Sequence, residues 1–370
     1  MRRRTLFLLP LAALLLASPV AAQLQRKQLP VPDVPGFKTL KCDFHLHTVF
    51  SDGHVWPVVR VLEAFRGGLD VISITDHDDY HPHEPFVSAD ISEPYRIAKP
   101  RAEELGIILI PGIEITKGEW HFNALFVTDF NATKKLEVRE ALREARRQDA
   151  FVFWNHPGWK RPEQWFPEIA PLYEEGLFQG FELVNGRTVY ATAFPWMAEK
   201  KLAVFANTDI HAPMIESQED GRPITLVFAR TADSPGVREA LFARRTAAWL
   251  GKEVWGPEAL LQGLWSGAVH LENPSAALSP QQRSLALRFQ NRSALSFQLK
   301  PAGLPEWLRV SEAEIKPESS VGLGLTIGKG APAGGHAFSL TFEVTNFHIA
   351  PGKNLTVSVP VRLQLTSPLS

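Results

Sequence analysis

Between about Leu40 and Leu264 the chain alternates short apolar runs with stretches of helical period. Val71 to Thr75, Ile107 to Ile110, Ala124 to Val127, Phe151 to Trp154, Phe181 to Val184, Val204 to Ala206 and Ile224 to Phe228 are nearly unbroken apolar runs. Runs of that kind mark strands buried on both faces. Between them, Trp56 to Phe65, Tyr95 to Leu105, Lys134 to Arg147 and Ala191 to Leu202 place their apolar residues on one helical face. Gly68-Leu69 and Gly106-Ile107 stand where a helix stops and a strand starts. Repeated strand–helix units predict a parallel sheet or barrel covered by helices.

After Asn273-Pro274-Ser275 the period falls to two. Leu285, Leu287 and Phe289 alternate with polar neighbours, as do Phe338, Leu340, Phe342 and Val344, and then Leu355, Val357, Val359, Val361, Leu363 and Leu365. Several alternating strands within a hundred residues predict a small antiparallel, immunoglobulin-like sandwich. The expected division is a leader over 1–22, a linker over 23–37, a barrel over 38–270, a linker over 271–282 and a sandwich over 283–370. No aspartate occurs from residue 271 onward, and His336 and His348 are expected to lie without a carboxylate neighbourhood, as surface or turn histidines. The sandwich is therefore expected to carry no catalytic or metal site.

The leader has a basic start, Arg2 to Arg4, an apolar stretch from Leu6 to Leu16, and small residues at Val20-Ala21-Ala22. That order predicts export with cleavage after Ala22, and the run is too short for a bilayer span of about 20 residues. Lys and Arg number 39 against 40 Asp and Glu, a balance that disfavours general nucleic-acid binding. Cys42 is the only cysteine, which excludes an intrachain disulfide and a cysteine-built zinc site. Nine of the twelve histidines precede residue 212. The chemistry is concentrated there.

Asp43-Phe44-His45-Leu46-His47 sets two imidazoles two residues apart, on one side of a strand. The turn that follows supplies Asp52. Four further runs end in similar groups: Asp76-His77, Glu114 past Pro111-Gly112, His156 before Pro157-Gly158, and Asp209 with His211. His121 opens another strand. In a strand–helix barrel such ends meet at one rim, and imidazoles crowded with carboxylates survive there by pairing or by holding a metal. Imidazole with carboxylate suits zinc, manganese or iron. Asp43 and Asp76 are placed to take the second N–H of a neighbouring histidine.

HxHTxxSDG, TDHD, PGxE, a histidine before Pro-Gly and a final DxH occur in that order, and this set resembles the PHP (polymerase and histidinol phosphatase) superfamily over roughly residues 38–265. The resemblance implies a distorted barrel of seven strand–helix units and two or three divalent transition-metal ions. It also implies an allocation. His45, His47, Glu114 and Asp209 would hold the first ion, and Glu114 would bridge to a second held by His121 and His156. Asp52, His77 and His211 would hold a third; some relatives have histidine where this chain has Asp52. The family's members are mostly phosphoesterases.

The expected activity is hydrolysis of a small phosphoric ester by a hydroxide shared between the metals, with Glu114 and Asp209 central to the site. His81 is a candidate proton donor to the leaving group, and Arg187 a candidate clamp on a phosphoryl oxygen. Two other readings remain: the same metal site hydrolysing a carbamate, amide or carboxylic ester, and a non-catalytic receptor for a ligand or polysaccharide, whose sandwich makes the contact while the barrel is inert.

Overall fold

The computed structural model describes residues 24–215, 221–279 and 282–365; the leader expected over 1–22 lies outside them. Seven strands make a barrel: β1 (Lys38–Asp43), β2 (Val71–Ile74), β3 (Ile108–Lys117), β4 (Trp120–Leu125), β5 (Phe151–Trp154), β6 (Gly180–Asn185) and β8 (Ala203–Asn207), with the short β7 (Thr188–Val189) paired to β6. The sets β1–β2–β3 and β5–β6–β8 are parallel. β4 departs from that, running antiparallel to both β3 and β5. The reason is the link: only Gly118 and Glu119 separate β3 from β4. So short a connection closes a hairpin, whereas a parallel crossover needs about a dozen residues.

Closure falls between β8 and the continuation of β1. Leu46 bridges Ile210, the Asp209 N–H donates to the His45 carbonyl at 2.9 Å, and the His47 N–H donates to the Ile210 carbonyl at 3.1 Å. β9 (Ile224–Ala229), β10 (Thr246–Leu250) and β11 (Glu253–Trp255) extend the sheet antiparallel from β1. Two threonines stand in for a ladder against β8. Thr225 Oγ1 accepts from the Ala206 N–H at 2.9 Å, and Thr246 Oγ1 accepts from the Val204 N–H at 3.1 Å. Buried backbone groups there are satisfied by hydroxyls instead of a neighbouring strand.

The helices are α1 (Pro57–Arg66), α2 (Glu93–Leu105), α3 (Val138–Arg147), α4 (Ile169–Glu174), α5 (Trp196–Glu199), α6 (Ser234–Phe242) and α7 (Glu258–Ala268). Two are shorter than their apolar periods suggest. Lys134 and Lys135 lie in a turn ahead of α3, and the helix expected over Ala191 to Leu202 reduces to one tight turn at Ala191–Ala193 and α5. Pro195 lies between these two and has no N–H to continue the first into the second. Inside the barrel Phe44, Phe151, Phe153 and Phe205 form a plug, with Phe153 and Phe205 stacked at 4.4 Å, and Cys42 is buried among them.

The second unit is a sandwich of two sheets. One contains β12 (Val269–Leu271), β14 (Ser284–Asn291), β16 (Leu308–Val310) and β18 (Ser320–Ile327). The other contains β13 (Ser275–Leu278), β15 (Phe297–Ala302), β17 (Ala313–Ile315), β19 (Gly334–Ala350) and β20 (Lys353–Leu365). Residues 271–282, expected as a linker, thus hold the end of β12 and all of β13. Nor is the sandwich a loose appendage: β19 pairs in parallel with β11, and Trp265 of α7 packs edge-on against Phe297 at 5.4 Å. His348 also departs from expectation. Its Nε2 lies 2.7 Å from Glu253 Oε2, a carboxylate contributed by the barrel.

The segment before β1 is equally engaged. A Cβ on Gly263 would lie 1.7 Å from Val34 Cγ1 and one on Gly267 2.7 Å from Pro32 Cβ, so these two α7 glycines let the segment lie against the helix. Its Pro30 carbonyl accepts from the Ala294 N–H at 2.7 Å. No helix among the described residues is long and apolar enough to cross a membrane.

Candidate metal centre

The nine expected ligands converge at one end of the barrel. His45 and His47 alternate with buried Phe44 and Leu46 just past β1; His77 follows β2, His156 follows β5, and Asp209 and His211 follow β8. Glu114 lies within β3, and His77 bridges to it. His121 sits near the start of β4, yet reaches the same rim because that strand runs the opposite way. His156 (φ 28°) and Asp209 (φ 51°) both occupy the left-handed region, a backbone strain that folded proteins concentrate at functional sites.

His45 Nε2 and His47 Nε2 each lie 3.3 Å from Glu114 Oε2 and 3.1 Å from Asp209 Oδ1. Atoms bound about 2.1 Å from one cation stand roughly 3.0 to 3.4 Å apart, depending on octahedral or tetrahedral geometry. His45 Nε2, His47 Nε2, Glu114 Oε2 and Asp52 Oδ1 are buried with no hydrogen-bond partner, and they are half of the eight such side-chain atoms among the described residues. Close yet not hydrogen-bonded to one another, the imidazole and carboxylate atoms aim at a common point. This donor set fits a transition-metal ion.

The carboxylates divide between neighbours. Glu114 Oε2 faces His45 and His47, while Oε1 lies 2.9 Å from His121 Nδ1 and 3.6 Å from His156 Nε2. Such a carboxylate can serve two cations at once. A third group forms around Asp52 Oδ1, which is 3.2 Å from His211 Nε2 and 3.5 Å from His77 Nε2. His47 adds to it, with Nδ1 3.7 Å from the same oxygen.

Electrostatics follow from the crowding. Burial favours neutral His45, but Asp209, Glu182 and Glu114 outweigh it and hold the ring's pKa well above its ordinary value. His77 is raised in the same way, burial being overcome by Glu114 and Asp52. His47 goes the other way: burial and the neighbouring imidazoles bring it down to about 4. Burial opposes the charged form of Asp52, Glu114 and Asp209 too, yet the surrounding histidines hold all three below the usual carboxylate range. Without a cation, protons on the imidazoles balance the acids.

The cleft over these groups measures about 530 Å³ and is also lined by Tyr80, Thr116, Gly118, Trp159 and Lys160. A solved two-domain protein of Bacteroides vulgatus, described as containing a predicted PHP-like metal-dependent phosphoesterase, is 38% identical to this chain, covering 91% of it and 99% of that structure, with a TM-score of 0.84. The chain belongs to that PHP-like family. The family model DUF5001, an Ig-like domain, matches residues 269–360. Among curated relatives, a 5'-3' exoribonuclease of Haemophilus influenzae is 33% identical over 115 residues, 29% of this chain. An uncharacterized protein of Methanocaldococcus jannaschii is 37% identical over 79 residues, 21% of this chain. The matches span 37% and 34% of those two proteins' lengths.

Around this PHP-like centre the supporting residues differ from those expected. Asp43 and Asp76 do not touch the imidazoles. Asp43 accepts from Thr208 Oγ1 and Arg222, and Asp76 accepts from the Thr48 N–H, the Thr48 hydroxyl and Ser51 Oγ. Glu182 holds His45 instead, with Oε1 2.9 Å from Nδ1. This fully buried acid also takes the His156 N–H at 2.8 Å and the side-chain amides of Asn185 and Asn207. Thr116 Oγ1 lies 2.6 Å from His77 Nδ1. Arg60, buried in α1, ties the loops together through the carbonyls of His47, Ile210, His211 and Ala212. The available signal for Glu182 was an acid inside the apolar run Gly180-Phe181-Glu182-Leu183-Val184.

Two expected catalytic groups are elsewhere. His81 presents Nδ1 to the Phe50 carbonyl at 2.9 Å and Nε2 to the Asp78 carbonyl at 3.2 Å, so it braces two loops and does not line the cleft. Arg187 lines an adjoining pocket with Asp209, His211 and Arg222, and not the cleft itself. Lys160 is the only Lys or Arg among the described residues lining the cleft.

Proposed function

We propose that the protein is a metal-dependent hydrolase of phosphoric esters, acting on a small-molecule substrate after export. The observation that carries this is the cage of His45 Nε2, His47 Nε2, Glu114 Oε2 and Asp209 Oδ1 at 3.1–3.3 Å, three of its atoms buried without hydrogen bonds. Zinc, manganese or iron held there would supply the Lewis acid that makes water nucleophilic near neutral pH and offsets phosphoryl charge.

The chain's own contribution is positioning. His45, His47, Glu114 and Asp209 would hold the first ion, His121 and His156 with Glu114 a second, and Asp52, His77 and His211 a third. Glu182 keeps the His45 ring turned so that Nε2 faces the centre, and Thr116 does the same office for His77. Lys160, with Nζ 3.9 Å from the centre of the Trp159 ring, adds fixed positive charge beside the cleft, where a phosphoryl group's negative oxygens would sit. Among the described residues lining the cleft there is no serine or cysteine, which fits attack by water.

The test is turnover of a panel of phosphomonoesters, phosphodiesters and carbamates by protein reconstituted with each metal. Phosphoester cleavage abolished by chelator and restored by a divalent transition metal is the expected result. Carbamate cleavage at least about tenfold faster than every phosphoester would overturn the choice of substrate class.

A further inference from the structure

The large apolar side chains exposed among the described residues are Trp56, Tyr80, Phe86, Trp159 and Ile215, ranging from 38% to 92% exposed. All five stand on loops leaving the same end of the barrel. Trp56 closes the loop after β1, Tyr80 and Phe86 belong to the loop after β2, Trp159 follows β5 and Ile215 follows β8. The sandwich and the opposite end of the barrel contribute none to this set. Single exposed apolar residues are ordinary and call for no explanation. Confinement to the end that carries the metal ligands is different.

Two members of this set border the cleft. Tyr80 and Trp159 line it, Tyr80 with its ring 5.9 Å from His77 and Trp159 at 5.0 Å from His121 and 5.3 Å from His156. Trp56 joins through Phe50 at 5.3 Å, and the Phe50 carbonyl meets His81 on the loop that carries Tyr80 and Phe86. Lys160 over Trp159 sets a cation directly beside the apolar wall. A small polar ester would leave both cleft rings in water.

We infer that the ester cleaved here carries a large apolar group on its alcohol side, which lies across Tyr80 and Trp159 while the charged head occupies the metal centre. The inference rests on the hydrolase reading above. Tyr80 and Trp159 are then specificity-determining residues: they gain from contact with the alcohol portion and take no part in breaking the bond. The same contact would serve a planar aromatic alcohol or an alkyl chain, since both remove apolar surface from water.

The experiment measures binding, not turnover, using the full metal-loaded chain and probes kept monomeric. Methyl-, phenyl- and octylphosphonate are titrated by calorimetry, alongside acetate, benzoate and octanoate. Affinity should rise at least about tenfold from methyl to phenyl or octyl. In Tyr80→Ser/Trp159→Ser that ratio should fall toward one, and Tyr80→Ser alone, at a side chain 52% exposed, should lower it partly without endangering the fold. Phenyl outranking octyl identifies an aromatic alcohol, and the reverse identifies a lipid-like chain. A flat phosphonate series overturns the inference and leaves the phosphoesterase reading in place, as does a gradient that survives the double variant. A gradient among carboxylates with no phosphonate binding supports the apolar wall and overturns the phosphoester reading. Absence of binding in both series overturns both.

Discussion

Glu182 Oε1 lies 2.9 Å from His45 Nδ1, and neither side chain reaches solvent. The acid does not face the metal position; it turns the ring that does. A partner of this kind fixes tautomer and orientation and makes the imidazole a better donor. Glu182→Gln should therefore keep the fold yet weaken metal binding by about 10- to 100-fold. Competition against a chromophoric chelator reads this, and unchanged affinity would remove Glu182 from the account.

Gly53 governs the loop that presents Asp52. A Cβ at residue 53 would stand 2.5 Å from both the His47 carbonyl carbon and the Thr48 nitrogen, so the backbone itself would have to shift. Gly53→Ala should displace Asp52 from His77 and His211 and lower metal content, the third ion first and then, through the His47 backbone, the pair around Glu114. Metal content per chain, compared with the parent protein, distinguishes this from general unfolding.

Metal uptake should be linked to protons. His45, His77 and His211 have raised pKa values in the cation-free site, burial being outweighed by Asp209, Glu114 and Asp52 among their neighbours. Below those raised values each ring holds a proton that a metal must displace; above them nothing is displaced. Affinity should accordingly fall as pH drops from alkaline through neutral, by about tenfold per unit for each proton released. Titrations in buffers of different ionisation enthalpy count those protons. An affinity independent of pH between 6 and 8, roughly the range where histidine titrates, would contradict this picture of the site.

Arg222 Nη2 donates to Asp43 Oδ2 at 2.8 Å, with the two side chains 4% and 0% exposed. Removing one member strands the other's charge, which costs about 3 to 5 kcal/mol. Arg222→Leu should lower stability by about that amount in a denaturant titration. It should also loosen metal binding, because Asp43 holds Thr208, the neighbour of Asp209. A loss below about 1 kcal/mol would mean that the pair contributes little beyond its desolvation cost.

What the sequence could reveal depended on range. His45 and His47 announce themselves because strand alternation puts both on one side, and His77, Glu114, His156, Asp209 and His211 come at or just past apolar runs, whereas Asp52 in a turn and His121 at a strand start join them through the motif set. The antiparallel β4 was implicit in the two-residue link Gly118-Glu119, but the parallel pattern of its neighbours masked it. Glu182 was hidden because its partners, His45, His156 and Asn207, come from three distant segments. Chain proximity points to His81 and Arg187 as catalytic groups, but loop paths, which periodicity does not encode, leave both out of the cleft lining. The sandwich was legible as alternating strands, whereas its union with the barrel through β11 and β19 depends on a pairing between strands about ninety residues apart.

The proposed activity depends on the metal centre, and metal stoichiometry tests that centre most directly. Elemental analysis of the full chain reconstituted with zinc, manganese or iron should find at least two ions per chain. Glu114→Ala should lower that number further than loss of any single histidine, because both Glu114 oxygens face imidazoles of separate sets. Less than one ion per chain after reconstitution, or full occupancy in folded Glu114→Ala, would contradict it.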